Sequence, residues 1–224
     1  MTTSSATPPS ADAIHRAAGE FALQFNVRQV KQIQQYTEIL LAWNEKVNLT
    51  AIRDPLEILH RHFCESMYGA KFLPVEKCRL ADVGSGGGFP GLPLKIMRPD
   101  LEVFLIESNV KKATFLAEVV RELGLTDTRV LVSRFEELGE EVAPLDFVCS
   151  RALGDFSQFL DWASSRLVSA QNVLLWLGGR DLEEVRAIRG WTWDAPTPMP
   201  HSLQRILLRG TRSETVSAEP AAAS

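Results

Sequence analysis

The chain has 224 residues, 45% of them hydrophobic and 23% charged, with 24 Lys and Arg against 28 Asp and Glu for a net charge of −4. A chain this long buries roughly 70% of the surface its unfolded form exposes, and its 3 cysteines are widely spaced with no C-x-x-C pair, which excludes a zinc knuckle or a disulfide scaffold. No apolar run approaches the roughly 18 residues that span a bilayer, the Ser-, Thr- and Pro-rich start lacks a signal peptide's regions, and the balance excludes an all-over cationic surface; a cytoplasmic protein with no membrane or DNA partner is expected.

Residues 1–12 and 213–224 are too poor in large apolar groups to offset the entropy of ordering and read as disordered tails. Residues 13–72 read as a helical region packed on the core. There Val30, Ile33, Tyr36, Leu40 and Trp43 form one stripe on a helix from Val27 to Asn44. Asn44, Asn48 and Thr50 have the side chains that shape a following turn. A second helix starts after Asp54, which can cap it, with Pro55 in its first turn and a stripe of Leu56, Leu59, Phe63, Met67 and Ala70. On it His62 and Ser66 share a face, with Arg61 and Glu65 spaced for an i,i+4 pair.

Residues 73–212 change pattern. Short apolar runs at Leu80–Val83, Val103–Ile106, Val130–Val132, Leu145–Cys149 and Val173–Leu177 alternate with segments of helical length, the sequence form of β-α-β units in an α/β, mostly parallel sheet. Two later runs, Trp191–Trp193 and Leu203–Leu208, are joined by a Pro-rich link too short for a crossover, so the sheet is expected to end in an antiparallel hairpin. Cys149 reads as a small buried hydrophobe. The acidic residues Glu136, Glu137, Glu140, Glu141 and Asp146 read, apart from Glu136, as a solvated face.

The stretch Asp82-Val83-Gly84-Ser85-Gly86-Gly87-Gly88-Phe89-Pro90-Gly91 follows the first strand and precedes a helix. Glycines cost a plain turn roughly 1 kcal/mol each, so a run of them marks a loop whose backbone N–H groups must approach a ligand at the strand's carboxyl end. Gly86-x-Gly88-x-x-Gly91 formally matches a dinucleotide fingerprint, with Glu107 after the second strand as a ribose-binding carboxylate, so a nicotinamide-dependent oxidoreductase competes. Against it, no Tyr-x-x-x-Lys pair or well-placed His offers a proton donor. Asp82 suits an amino acid's ammonium group, and the acid-x-Gly-x-Gly order resembles the cofactor loop of Rossmann-like methyltransferases that use S-adenosyl-L-methionine. The antiparallel end of the sheet resembles that superfamily too.

Asn44-Glu45-Lys46-Val47-Asn48-Leu49-Thr50-Ala51-Ile52, Arg61-His62 with Glu65-Ser66, the glycine loop, and Ser150-Arg151-Ala152 together resemble the bacterial small-subunit ribosomal RNA guanine-N7 methyltransferase family, glucose-inhibited division protein B. That resemblance implies methylation of N7 of one guanine in the decoding region, with small-subunit ribosomal RNA or the ribosomal particle as partner. It also implies a cofactor site of Asp82, Gly84, Ser85, Gly86, Gly88, Phe89, Glu107, Phe135, Glu136 and Arg151. His62, Ser66, Lys111 and Lys112 are the expected substrate-side residues. Two positions depart from the family pattern: Glu65 stands for an aspartate, and Leu177-Gly178-Gly179 stands where a lysine precedes glycine, with Arg180 two residues on. Guanine N7 has a free lone pair and no proton to lose, so no catalytic residue and no metal is expected, only positioning. Arg151 is a binding candidate because its planar fork suits base edges, phosphates and carboxylates, and its alternative is a structural ion pair. A monomer is expected; a non-catalytic RNA-binding module with the same fold is the remaining alternative.

Overall fold

The computed structural model describes residues 7–151, 154–165 and 168–213. The first helix, α1 (Ala11–Glu20), begins inside the stretch expected to be tail. Ser10 Oγ accepts the Ala13 N–H at 3.2 Å, Ile14, Ala17 and Ala18 are buried, and the Pro9 carbonyl accepts Gln34 Nε2 at 2.9 Å. One cap, three buried side chains and one tie thus supply the order that composition did not promise. Residues 1–6 and 214–224 of the expected tails lie outside the described residues.

Helix α2 (Val27–Asn44) has the expected bounds. Asn26 and Gln29 form a reciprocal capping box at 3.0 and 2.9 Å, and Val30, Ile33, Tyr36 and Leu40 are buried. Asn44 closes the following turn, accepting the Leu49 and Thr50 N–H groups and donating to the Thr50 carbonyl. The next helical stretch is not one regular helix. It runs as α3 (Pro55–Ile58), capped by Asp54, then a π-helical segment Leu59–Cys64, then α4 (Glu65–Tyr68) and a 3₁₀ turn Gly69–Phe72. Leu59, Phe63 and Met67 are buried as the stripe requires, while the i→i+5 bonds of the π segment shift the register of other side chains such as Glu65. Leu56, counted in the buried stripe, is 51% exposed, and Ile58 and Cys64 are buried instead.

The sheet comprises β1 (Arg79–Val83), β2 (Glu102–Ile106), β3 (Thr128–Leu131), β4 (Phe147–Arg151), β5 (Asn172–Gly178), β6 (Trp191–Trp193), β7 (Thr197–Pro198) and β8 (Arg205–Arg212). Its order is β3-β2-β1-β4-β5-β8-β6, with β7 also on β8. Strands β1 to β5 are parallel, and β8 runs antiparallel between β5 and β6, pairing Gly178 with Arg205 and Trp191 with Arg212. The terminal hairpin is therefore present, with its second strand on the inside.

Helices α5 (Gly91–Met97) and α6 (Val110–Glu122) cover one face together with the N-terminal helices, in a core with Leu80, Val103, Leu105, Cys149 and Trp176. On the other face α7 (Phe156–Ser164) and α8 (Leu182–Ala187) pack on Val83, Phe104, Val148 and Leu175. Side chains along each strand alternate between these two cores, as a sheet covered on both faces requires. Gln29 and Gln32 of α2 donate to the Ile96 and Leu123 carbonyls at 3.1 and 3.0 Å, tying the helical region to the ends of α5 and α6. Chain direction across the sheet reverses between β1 and β4, and ligands of such sheets sit beyond the strands' carboxyl ends at that point.

Candidate cofactor and substrate site

The glycine loop leaves β1 with Gly84 and Ser85 N–H groups bonded to the Ile106 carbonyl at 2.9 and 3.1 Å. Gly84, Gly86 and Gly88 hold φ of +70°, +55° and +85°, the left-handed region that disfavours a Cβ. Glu107 closes the loop from β2: its Oε2 accepts the Gly86 N–H and its Oε1 the Asn109 N–H, each at 2.8 Å. Two carboxylate oxygens offer about four lone-pair sites, so two remain for a ligand's hydroxyl groups.

Beside this carboxylate lies a cavity of about 290 Å³, lined by Val83, Gly84, Ile106, Glu107, Ser108, Ser133, Arg134, Phe135 and Glu136. It sits at the carboxyl ends of β1, β2 and β3 and is near the lower bound of small-molecule sites, about 300 Å³. A Cβ built on Gly84 would meet nothing within 4 Å, so this residue leaves open space against the cavity. Apolar walls from Val83, Ile106 and Phe135, with a carboxylate and hydroxyl groups at one side, fit a nucleoside-bearing cofactor. Gly84, Glu107, Phe135 and Glu136 are thus brought together as expected, and Gly86 is tied to them through Glu107. Ser108, Ser133 and Arg134 were missed, although their places directly after β2 and β3 are where a parallel sheet presents ligand contacts.

Four expected cofactor residues lie beneath the loop instead. Asp82 is fully buried, its Oδ2 accepting the Gly91 N–H at 2.9 Å, so it anchors the loop's far end and presents no carboxylate to an ammonium group. Burial pushes its carboxyl up to about 7. Ser85 is buried and donates to the Asp82 carbonyl at 2.8 Å. Gly88 is packed under Tyr36, whose hydroxyl donates to the Gly87 carbonyl. The Phe89 ring is 8% exposed and lies parallel to Tyr36 (5.4 Å) and nearly parallel to His62 (4.6 Å). It joins the loop to the helical region by packing.

The substrate-side residues divide. His62 bonds Thr50 Oγ1 through Nε2 at 2.7 Å; burial and then the charges of Arg151 and Arg61 lower its pKa to about 3, so it is neutral at any working pH. Ser66 is fully buried and spends its hydroxyl on the His62 carbonyl, which removes it from the cleft. The expected Arg61–Glu65 pair is absent. Arg61 bonds Glu57 at 3.1 Å, and the π turn carries Glu65 to Arg151 and Arg205, at 3.3 and 2.7 Å. Arg151 also donates to the Arg61 carbonyl, so its structural ion pair is formed. Lys111 is exposed and Lys112 half-buried at the start of α6, where Asn109 caps their N–H groups. Asp146, assigned to a solvated face, accepts the Arg79 N–H at 2.7 Å and joins β4's approach to β1. Cys149 is fully buried, with burial and Asp82 raising its thiol. Among the described residues no group of three or more His, Cys, Asp or Glu could hold a metal, and no helix is long and apolar enough to cross a membrane.

Truncating Glu107 to Ala is expected to weaken cofactor binding by about tenfold to a hundredfold, since charge-assisted hydrogen bonds contribute about 1.5–3 kcal/mol. Calorimetric titration of the folded variant measures this; unchanged affinity would move the hydroxyl contact elsewhere.

Strand order, glycine loop and the cavity beside Glu107 define a Rossmann-like methyltransferase, a class that uses S-adenosyl-L-methionine. Solved structures of that class share the fold. A SAM dependent methyltransferase from Aquifex aeolicus matches with a TM-score of 0.57 at 17% identity over 74% of this chain and 97% of its own. TrmK of M. capricolum in complex with S-adenosyl-homocysteine matches with a TM-score of 0.53 at 15% identity, over 66% of this chain and 67% of its own. Nearer relatives carry the name Ribosomal RNA small subunit methyltransferase G. That of Roseiflexus castenholzii is 41% identical over 154 residues, 67% of this chain and 66% of its own length; that of Lactococcus lactis subsp. cremoris is 38% identical over 165 residues, 70% and 68%. The GidB family model, rRNA small subunit methyltransferase G, matches residues 29–190, and the chain belongs to that family.

Proposed function

We propose that this protein transfers a methyl group from S-adenosyl-L-methionine to N7 of one guanine in the decoding region of small-subunit ribosomal RNA, acting as a cytoplasmic monomer. The observation that carries the reading is the cavity at the carboxyl ends of β1 to β3, where Gly84 offers bare backbone and Glu107 a fixed carboxylate. Bound there, the cofactor supplies an electrophilic methyl. The chain's own part is placement. Glu107 would accept ribose hydroxyls and Ile106 and Phe135 would flank the base, while the packed Tyr36, Phe89 and His62 rings hold the loop rigid. Guanine N7 attacks with a lone pair it already has, so the reaction asks for alignment and exclusion of water and for no general base. The side chains there agree with that demand: His62 is bonded to Thr50, and Arg151 is held by Glu65 and the Arg61 carbonyl.

The helical region, residues 13–72, orients the target, and Lys111 and Lys112 meet RNA phosphates at the mouth of the cleft. Regular A-form RNA hides the guanine N7 edge in a deep, narrow groove, so an exposed or extruded base in a folded loop is the expected substrate. Labelled cofactor is to be offered with intact small subunits, isolated ribosomal RNA and an unstructured guanine-containing oligonucleotide, followed by mapping of the modified base. One N7-methylguanine on the folded substrates and little on the oligonucleotide is expected. Equal turnover on all three would defeat selection by loop shape; a labelled base other than guanine would defeat the reaction itself.

A further inference from the structure

We infer that Glu65 is a positioning residue whose buried carboxylate holds the Arg151 and Arg205 guanidiniums side by side as a seat for a backbone phosphate of the substrate RNA. The inference rests on the RNA-methylation reading and adds a place and a ligand to it. Glu65 is 2% exposed, yet each of its carboxylate oxygens serves a different arginine: Oε2 takes Arg151 Nη2 at 3.3 Å, and Oε1 takes Arg205 Nε and Nη2 at 2.9 and 2.7 Å. The three residues come from three elements, the start of α4, the end of β4 and the start of β8. Trp176 of β5 fixes the center by donating its indole N–H to the Glu65 carbonyl at 2.8 Å.

Charge does not balance there. Arg61, whose carbonyl accepts Arg151 Nη1, adds a third guanidinium, and Glu57 adds a second carboxylate, leaving, among the described residues, three positive groups against two negative ones. An uncompensated charge near the interior is costly, and an anionic ligand relieves it. The donors are available for one. A guanidinium has five N–H donors; Arg205 commits Nε and Nη2 and its side chain remains 32% exposed, leaving Nη1 free of any partner among the described residues. Planar forks match phosphate oxygens in a way a lysine cannot. Position completes the argument. The cofactor cavity lies over β1 to β3 and this cluster lies over β4, β5 and β8, so the two flank the reversal between β1 and β4. A nucleotide whose base enters that crevice would bring its own backbone toward the arginines.

The test measures binding of a small-subunit ribosomal RNA fragment against salt concentration for the full chain, with methylation kinetics and cofactor titration alongside. Arg205→Gln is expected to lower the slope of log K against log salt by about 0.7, the yield of one phosphate contact, and to raise KM for RNA about tenfold. Cofactor affinity should not move. Glu65→Gln frees both forks from their carboxylate, so its salt slope should hold or steepen while kcat falls at least about tenfold, and Glu65→Asp should restore part of the rate. A wild-type slope in Arg205→Gln overturns the seat. So does a Glu65→Gln protein whose slope and kcat both match the wild type. Arg205→Gln decides alone if Glu65→Gln does not fold. Since the slope is read from binding, a chain that shows the expected slopes yet methylates no RNA defeats the methylation reading and not the seat.

Discussion

Gly88→Ala is expected to destabilise the protein by about 2–5 kcal/mol, a large share of what a domain of ordinary stability has to lose. Two costs combine. At a φ of +85° an L side chain is strained by about 1–2 kcal/mol. Its Cβ would also meet the Tyr36 hydroxyl and Leu92 Cδ1, and forcing an atom into a filled core costs about 1–3 kcal/mol more. Tyr36 has nowhere to retreat, being fully buried, stacked on Phe89 and bonded to the Gly87 carbonyl. Gly84→Ala is the contrast: its φ is +70° but its Cβ enters open space, so folding should survive and cofactor affinity should fall. Urea unfolding of both variants measures the difference. A Gly88→Ala protein within about 1 kcal/mol of the wild type would show that the loop can shift and that Tyr36 does not clamp it.

The second large effect is a pH dependence seated in Asp82. Its folded pKa of about 7 lies above the unfolded value near 3.9, so the folded state binds this proton more tightly. The stability this supplies is complete below about pH 4 and is lost as pH rises through 7, an amount near 4 kcal/mol at about 1.36 kcal/mol per pH unit. Asp82→Asn keeps an oxygen for the Gly91 N–H and has no charge to bury. Denaturation from pH 4 to 8 should therefore show the variant gaining on the wild type as pH rises, by up to about that amount. Parallel curves for the two proteins would mean that water or backbone dipoles already solvate the ionised carboxylate.

The sequence made the sheet legible because its signals are local and redundant. Apolar runs of strand length, helical spacers and a proline-rich final link locate the parallel strands and the hairpin, and the Asp54 cap locates a helix start. Part of the cavity lining was legible for the same reason, since Gly84 and Glu107 sit directly after strands. Direction was not. Asp82, Ser85 and Phe89 occupy the right loop, yet Asp82 and Phe89 point into the core and the Ser85 hydroxyl stays inside the loop, because loop residues follow no period that tells inside from outside. The Glu65–Arg151–Arg205 cluster was hidden twice over. A π-helical turn broke the 3.6-residue register that pairs Arg61 with Glu65, and Arg205 is 140 positions along the chain from its partner.

Strand β8 lies between β5 and β6 and also pairs with β7, so an interior strand of the sheet is synthesised after all of its neighbours. Until residues 205–212 emerge, the nascent chain carries β5 with one long unsatisfied edge and β6 and β7 with no neighbour, the kind of exposed ladder that recruits other chains. A message truncated a few codons short of Arg212 would thus yield an open sheet prone to aggregation, where the same deletion at an outer strand would only trim a margin.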